Sequence, residues 1–333
     1  MTSPLLSIRD LTVRFETPRG TVTANDRLSF SVKSGETLGI VGESGSGKSV
    51  LCRAILRLLP SPPAQVTATE IRFGDQDLQK LTPAGMRRVR GQDIAMVFQN
   101  PMTSLNPVWP IGDQVSEGLR IHKGLGRSSA RKEAIAILNR VGIPNAAMRI
   151  DDYPYQWSGG MMQRAVIAMA MAGKPKLLLA DEPTTALDVT IQDQILALLV
   201  ELQRETGMSI VLVSHDMSVI SETCDRVAVM YAGHIVEMGT AATIFKSPKH
   251  PYTYGLLRSM PHIEGRVGKL AGIGGQPPDL SRRLPGCPFA PRCAVASAVC
   301  RERPICLASL DDDHATACHF PERLAELERK LAS

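Results

Sequence analysis

The run Gly42-Glu43-Ser44-Gly45-Ser46-Gly47-Lys48-Ser49 has the residue types and spacing to hold a phosphate chain. It follows an apolar β-like stretch, Thr37-Leu38-Gly39-Ile40-Val41, and precedes a helical pattern from about Val50 to Leu58. The pattern is G-x-x-x-x-G-K-[ST]. Its glycines let backbone N–H groups converge on phosphate oxygens without interference from Cβ atoms. The helix that starts there adds the positive end of its dipole. Lys48 can reach the outer phosphates, and the Ser49 hydroxyl can hold Mg²⁺. These residues predict a nucleoside triphosphate as ligand.

Ser158-Gly159-Gly160 offers a second place for an anion, directly before the amphipathic stretch Met161 to Ala172. A serine cap, two glycines and a helix N-terminus suit phosphate, but no lysine accompanies them. The chain therefore binds two anions or completes its site with a second copy. Lys176-Leu177-Leu178-Leu179-Ala180-Asp181-Glu182 is an apolar strand pattern that delivers two carboxylates at its end. Asp181 suits Mg²⁺ coordination, directly or through water. Glu182 suits a general base or a water-positioning group for attack on the γ-phosphate. The strand pattern Ile94 to Phe98 ends at Gln99, placed to touch the metal or the attacking water, and Ser209 to Ser214 ends at His215. His215 could polarise the γ-phosphate, although a lone loop histidine is usually just solvated. Phe15, at the end of the first strand pattern, reads from the residues alone as an edge-strand core side chain.

Five of the seven cysteines (Cys287, Cys293, Cys300, Cys306 and Cys318) crowd the last fifty residues or so of the chain. In a cytosolic protein such crowding reads as metal or cluster ligation before disulfides. Cys52 and Cys224 lie in apolar settings and read as inert core thiols.

The elements that must position these groups follow from the patterning. Leu5 to Phe15 and Thr21 to Val32 alternate apolar and polar residues around Thr17-Pro18-Arg19-Gly20, a strand–turn–strand start. Pro60 to Ala64 breaks the first helix, and Glu70 to Leu78 resumes a strand pattern. Residues Ile111 to Ala172 are mostly helical, with breaks at Lys123 to Arg127 and Ile143 to Trp157. Pro183 to Asp188 turns the chain into a long helix, Val189 to Glu205. Arg226 to Tyr231 and His234 to Met238 form a hairpin around Ala232-Gly233. Alternating strands and helices imply a largely parallel sheet with helices on its faces, and the candidate loops fall at carboxyl ends of strands, where such sheets bind ligands.

Composition sets the outer bounds. The 333 residues are 44% hydrophobic and 21% charged, which is ordinary for a globular chain of one large and one small domain. A formal charge of +5 is mild and scattered, which argues against nucleic acid as a partner. No stretch approaches the roughly 18 apolar residues of a membrane span, and Met1 to Asp10 lacks the features of a signal peptide. A cytosolic chain that meets a membrane only through a partner is expected.

The set and order of these motifs resemble the ATP-binding subunits of ABC transporters over roughly residues 5 to 260. Ser158-Gly159-Gly160 is similar to the ABC signature, which other phosphate-loop ATPases lack. The resemblance implies an α/β P-loop NTPase of ABC type with an antiparallel β region at its N-terminus and an inserted helical subdomain at about 111–173. It implies an ATPase domain over 1–260 and a small Cys-rich C-terminal extension over 261–333. ATP would be held by Gly42, Glu43, Ser44, Gly45, Ser46, Gly47, Lys48, Ser49 and Val50, with Phe15 stacking on adenine. Mg²⁺ would be met by Ser49, Gln99 and Asp181. Glu182 would be the catalytic carboxylate, His215 the switch histidine and Asp188 part of the D-loop. Ser158, Gly159, Gly160 and Gln163 would face the ATP of a second subunit, because the family works as a head-to-tail pair. Trp157 stands where the signature usually has leucine, and Met161-Met162 replace a polar pair.

Phe98 to Pro107, Asp181 to Gln192 and His250-Pro251-Tyr252-Thr253 look like the oligopeptide/dipeptide importers. So does the tail from Leu284 to Cys293, then Cys300 and Cys318-His319. By that resemblance Cys287, Cys293, Cys300 and Cys318 hold a 4Fe-4S cluster. From the chemistry alone Zn²⁺ on these cysteines, with His314 or His319, stays open, as do free thiols in a flexible Pro-rich tail. The implied assembly pairs this subunit with a second ATPase, either a second copy or a paralogue, of which the paralogue is the commoner in the family. Two transmembrane permease subunits and a periplasmic or extracellular solute-binding protein complete it, at the cytoplasmic face of the cell membrane. The competing reading is a soluble ABC-type ATPase acting on nucleic acid or the ribosome.

Overall fold

A computed structural model describes residues 3–18, 20–185, 187–260, 273–282 and 284–327. The chain forms two compact units, one from Met1–Ser31, Thr37–Gln76 and Ser214–Ser333, the other from Val32–Glu36 and Asp77–Val213. The expected boundary after residue 260 meets 261–272, which lies outside the described residues, as do Arg19 and Ala186 within two of the expected turns.

In the first unit the alternating segments form β1 (Leu6–Thr17) and β2 (Gly20–Val32), followed by β3 (Thr37–Val41) and helix α1 (Lys48–Ile55). Strands β4 (Ala64–Thr67), β5 (Glu70–Phe73) and β6 (Gln76–Asp77) complete an antiparallel sheet of order β2-β1-β5-β6. In it β4 also pairs with β1, Phe15 lying opposite Ala64. Strand β4 was not expected, since only Ala64 of its four residues is buried and no apolar alternation marks it.

The second unit contains α2 (Pro83–Gln92), β7 (Ile94–Val97), α3 (Pro101–Ser104), α4 (Ile111–Lys123), α5 (Arg127–Arg140), α6 (Ala146–Arg149) and α7 (Gly159–Met171). It continues with β8 (Leu177–Asp181), α8 (Val189–Thr206) and β9 (Ser209–Ser214). The helices α4 to α7 fall where the helical stretch was expected. Helix α2 escaped notice because its backbone leaves helical geometry at Arg90 and Gly91, and only Met86 and Val89 are buried. Strands β7, β8 and β9 are parallel, with Met96 opposite Leu179 and Leu179 opposite Val211. Every residue of β8 and β9 is buried, which is why these strands read as continuous apolar runs.

The chain then returns to the first unit through α9 (Met217–Thr223), β10 (Arg226–Tyr231), β11 (His234–Thr240), α10 (Ala241–Lys246), α11 (Pro251–Arg258), α12 (Ala298–Glu302), β12 (Ala308–Ser309) and β13 (His314–Thr316). Strand β10 runs parallel to β3 and antiparallel to β11, the expected hairpin. The sheet does not end there. Strand β13 from the tail pairs with β11, Gly239 lying opposite His314, and β12 pairs with β13. Glu237 of β11, fully buried, accepts the backbone N–H groups of Lys249 (2.5 Å) and His250 (2.9 Å), and lies 2.7 Å from His314 Nε2. Tyr254, Val295, Leu324 and Leu327 form a small apolar cluster with Cys293 against it. The tail is thus held by sheet pairing and a buried carboxylate. Among the described residues no helix is long and apolar enough to cross a membrane.

Candidate nucleotide site

The phosphate-seeking loop sits between the end of β3 and α1, and it is shaped by residues far away in sequence. Gly47 precedes α1 with φ 99°, a left-handed conformation that L side chains resist. A Cβ on it would also lie 2.3 Å from the Ala24 carbonyl oxygen. Asn25, wholly buried in β2, donates through Nδ2 to the Gly47 carbonyl at 3.1 Å. The N–H of Gly233, in the β10–β11 turn, donates to the Ser46 carbonyl at 3.0 Å. Lys48 is 4% exposed, and its ammonium donates to the carbonyls of Gly42 at 2.7 Å and Glu43 at 3.0 Å. The loop therefore already curls around the lysine, which can exchange carbonyl oxygens for phosphate oxygens without being dehydrated afresh. The buried Ser46 hydroxyl has no hydrogen-bond partner among the described residues, a cost that a bound anion or water would relieve.

Neither Asn25 nor Gly233 was singled out from the sequence. An isolated asparagine in an alternating strand carries no local signature, and the glycine reads only as a hairpin turn. Two further residues, Tyr252 and Arg292, also reach the loop, both through Glu43. Ser49 and Val50 open the first turn of α1 and are half-buried. Phe15 is half-buried on β1, so part of its ring stays available for stacking. His215, just beyond β9, is exposed.

In the other unit, the end of β8 carries the two carboxylates. Asp181 is fully buried, whereas Glu182 is half-buried and adopts φ 47°, a left-handed conformation that a non-glycine residue keeps only when its surroundings impose it. The Glu182 N–H donates to the Val213 carbonyl at 3.0 Å. Its Oε2 accepts from Gln99 Nε2 and from Thr185 Oγ1, each at 2.9 Å. The structure thus joins two of the residues singled out from sequence and adds Thr185, which was not. Within this unit Gln99 and Asp181 carry amide and carboxylate oxygens, hard donors of the kind Mg²⁺ accepts.

Ser158 caps α7, its hydroxyl accepting the Met161 N–H at 3.4 Å, and is itself exposed. A Cβ on Gly160 would meet Ile191 at 2.8 Å, so close packing of α7 on α8 excludes larger residues there. Trp157 is 5% exposed, and its indole N–H donates to Asp152 at 3.1 Å, so it fills an interior position. Gln163 is also buried, at 1% exposure, and does not line the surface beside Ser158. Asp188 caps α8, accepting the Ile191 N–H at 2.9 Å.

In the tail, burial pushes the Cys287 thiol up to about 12 and the Cys318 thiol to about 11, with further upward contributions from neighbouring cysteines. Cys293 and Cys300 raise both of them, so the four thiols are near neighbours. The Cys287 N–H donates to the Cys300 carbonyl at 2.7 Å. Cys306 is exposed, whereas the other four are half-buried. Even so, among the described residues no group of three or more His, Cys, Asp or Glu side chains is arranged to hold a metal ion. The expected cluster is therefore not formed as a ligand set. Cys52 and Cys224 are buried as expected, and desolvation pushes Cys224 up to about 12.

Comparison with known proteins agrees with this geometry. The ABC transporter family matches residues 25–185, and the family described as oligopeptide/dipeptide transporter, C-terminal region, matches residues 236–300. The chain is 49% identical to the dipeptide transport ATP-binding protein DppD of Bacillus subtilis, over 97% of this chain and 96% of the relative. It is 48% identical to DppD of Escherichia coli over 95% of this chain and 97% of that one. Among solved structures, it resembles a dimeric, post-hydrolysis ATP-binding cassette bound to ADP and Pi, with a TM-score of 0.62 and 27% identity over 71% of this chain and 98% of that chain. A fully conformed phosphate loop, a strand-end carboxylate pair and near-full-length relatives lead to one conclusion: the chain belongs to the ATP-binding subunits of ABC transporters, and it carries the C-terminal region of the oligopeptide/dipeptide group.

Proposed function

We propose that this chain is the ATP-hydrolysing subunit of an importer that takes up di- or oligopeptides. The observation that carries hydrolysis is Glu182, kept in a left-handed conformation with its carboxylate held by Gln99 and Thr185. A carboxylate so oriented can take the proton of a water attacking the γ-phosphate. Lys48 moves from the Gly42 and Glu43 carbonyls to the outer phosphates, while N–H groups of Gly45 to Val50 meet the remaining oxygens. Mg²⁺, when bound, neutralises charge on the β- and γ-phosphates. Phe15 stacks on the adenine, and His215 contacts the γ-phosphate. Ser158, Gly159 and Gly160 serve the ATP of a neighbouring subunit, and Asp188 belongs to the D-loop.

The partners are read from the resemblance to the importer family. A second ATPase subunit, a paralogue before a second copy, completes the pair. Two membrane permeases and an external solute-binding protein complete the importer, and this subunit lies at the cytoplasmic face of the cell membrane. The near-full-length likeness to dipeptide transport proteins favours this reading over a soluble ATPase acting on nucleic acid. Reconstituting the complex in vesicles tests it. ATP-dependent peptide accumulation is expected, and Glu182→Gln should abolish it while leaving ATP bound. Retained uptake in that variant would remove Glu182 as the base.

For the tail we read Cys287, Cys293, Cys300 and Cys318 as ligands of a 4Fe-4S cluster, with Zn²⁺ as the alternative occupant. Support comes from the mutual nearness of the four thiols and the Cys287–Cys300 backbone link. The role is to staple the tail. Anaerobic purification with iron and zinc analysis and a visible spectrum decides between them, and a protein free of both metals would sink the reading.

A further inference from the structure

Arg292 and Glu43 are 249 positions apart, yet they form a two-pronged ion pair. Arg292 Nη1 donates to Glu43 Oε2 at 2.7 Å, and Nη2 donates to Oε1 at 3.0 Å. The remaining N–H groups of the guanidinium are also engaged. Nε donates to the Gly274 carbonyl at 2.8 Å, Nη2 to the Ile273 carbonyl at 3.0 Å and Nη1 to the Tyr231 hydroxyl at 3.2 Å. All five donors of the fork are thereby placed, and the side chain is only 5% exposed. The guanidinium also lies 5.7 Å from the Tyr231 ring and 5.8 Å from the Phe289 ring. A group fixed on every side can hold another group in place.

What it holds is the second residue of the phosphate loop. Glu43 is anchored at three points: its carboxylate by Arg292, its N–H by the hydroxyl of buried Tyr252 at 2.8 Å, and its carbonyl by the loop itself. That carbonyl accepts from the Ser46 N–H at 3.2 Å and from the Lys48 ammonium at 3.0 Å. The orientation of the Glu43 peptide therefore decides where the lysine ammonium waits. Tyr252 lies in α11, and Arg292 lies in a one-turn 3-10 segment, Ala290–Arg292, immediately before Cys293.

We infer that Arg292 is a positioning residue for ATP binding, acting through Glu43 to set the phosphate loop and the resting place of Lys48. The inference rests on the reading of that loop as the ATP site. It gives the C-terminal region a part in nucleotide affinity beyond that of a folded appendage. A bidentate ion pair whose arginine is buried is suited to the task, because it fixes direction as well as distance.

The test uses the full-length chain in its complex with the membrane subunits, measuring ATPase kinetics and equilibrium ATP binding. Arg292→Ala is expected to raise KM and Kd for ATP about tenfold while kcat stays within about twofold. Glu43→Gln should raise KM similarly, and the double variant should be no worse than either single one, the signature of residues acting as a unit. Arg292→Lys, which keeps the stem and charge but not the fork, should fall between wild type and Arg292→Ala, and it replaces that variant should Arg292→Ala not fold. An unchanged KM in either arginine variant, even with a lowered Tm, would overturn the inference, since attachment of the tail would then be the whole role. Equal effects of Arg292→Ala with and without Glu43→Gln would also overturn it. Lys48→Ala is the separate control. If it left ATP binding intact, the ATP reading of the loop itself would fail, whatever Arg292 did.

Discussion

Gln99 Nε2 lies 2.9 Å from Glu182 Oε2, although 83 residues separate the two in sequence. The amide comes from just beyond β7 and the carboxylate from just beyond β8, strands that run parallel with Val97 opposite Ala180. Register places the pair, since both residues leave the sheet at the same carboxyl edge. The Thr185 hydroxyl holds the same oxygen from the following turn at 2.9 Å.

Glu182→Gln keeps the shape of this arrangement and removes its basicity. Hydrolysis should fall by about a hundredfold to ten-thousandfold, the usual contribution of a positioned base, with ATP affinity preserved. Rapid-quench measurement of phosphate release alongside equilibrium ATP binding checks both parts. A loss below tenfold or so would mean that another group takes the proton.

The glycines of the phosphate loop differ in what they tolerate. A Cβ on Gly42 would lie 2.1 Å from the Met230 carbonyl oxygen, a backbone atom that cannot step aside. Gly45, with φ 78°, has nothing within 4 Å of its would-be Cβ. Gly42→Ala should therefore lower Tm sharply and abolish nucleotide binding. Gly45→Ala should cost only about 1–2 kcal/mol of left-handed strain. Thermal unfolding with and without ATP separates the two.

His250 caps α11, its Nδ1 accepting the Tyr252 N–H at 3.1 Å, and burial lowers its pKa from 6.5 to about 3. Between those values the unfolded chain takes up a proton that the folded protein refuses. Stability contributed at this site is therefore present above about pH 6.5 and declines as pH falls towards 3. The slope reaches at most about 1.4 kcal/mol per pH unit. His250→Asn keeps a cap acceptor and removes the titration. Its stability should fall less steeply on acidification, which denaturant titrations from pH 7 to pH 4 or so would read out.

Removing the imidazole that faces Glu237 should loosen the tail. His314→Ala leaves the fully buried carboxylate with the Lys249 and His250 N–H groups but without its third partner. A loss of about 1–3 kcal/mol is expected. Limited proteolysis should then cut within β12 and β13 before the rest of the first unit. Uniform cutting throughout the chain would show that Glu237 does not attach the tail.

Much of the candidate site could be read from neighbouring residues alone. The strand–glycine loop–helix run from Thr37 to Ile55 depends on local conformation, and its spacing encodes its chemistry. The same holds for the caps at Ser158 and Asp188 and for the carboxylates that end the apolar strand β8. Strand β4, largely exposed, and the kinked α2 had no periodicity to reveal them. Only the tertiary structure showed that Asn25, Gly233, Tyr252 and Arg292 support the phosphate loop, because hydrogen bonds between residues tens to hundreds of positions apart leave no pattern in either segment. The tail shows the division most sharply. Its crowded cysteines pointed to a metal ligand set that the described residues do not form, whereas the pairing of β13 with β11 and the engagement of Glu237, which do hold it, depend on which sheet edge the folded chain leaves open.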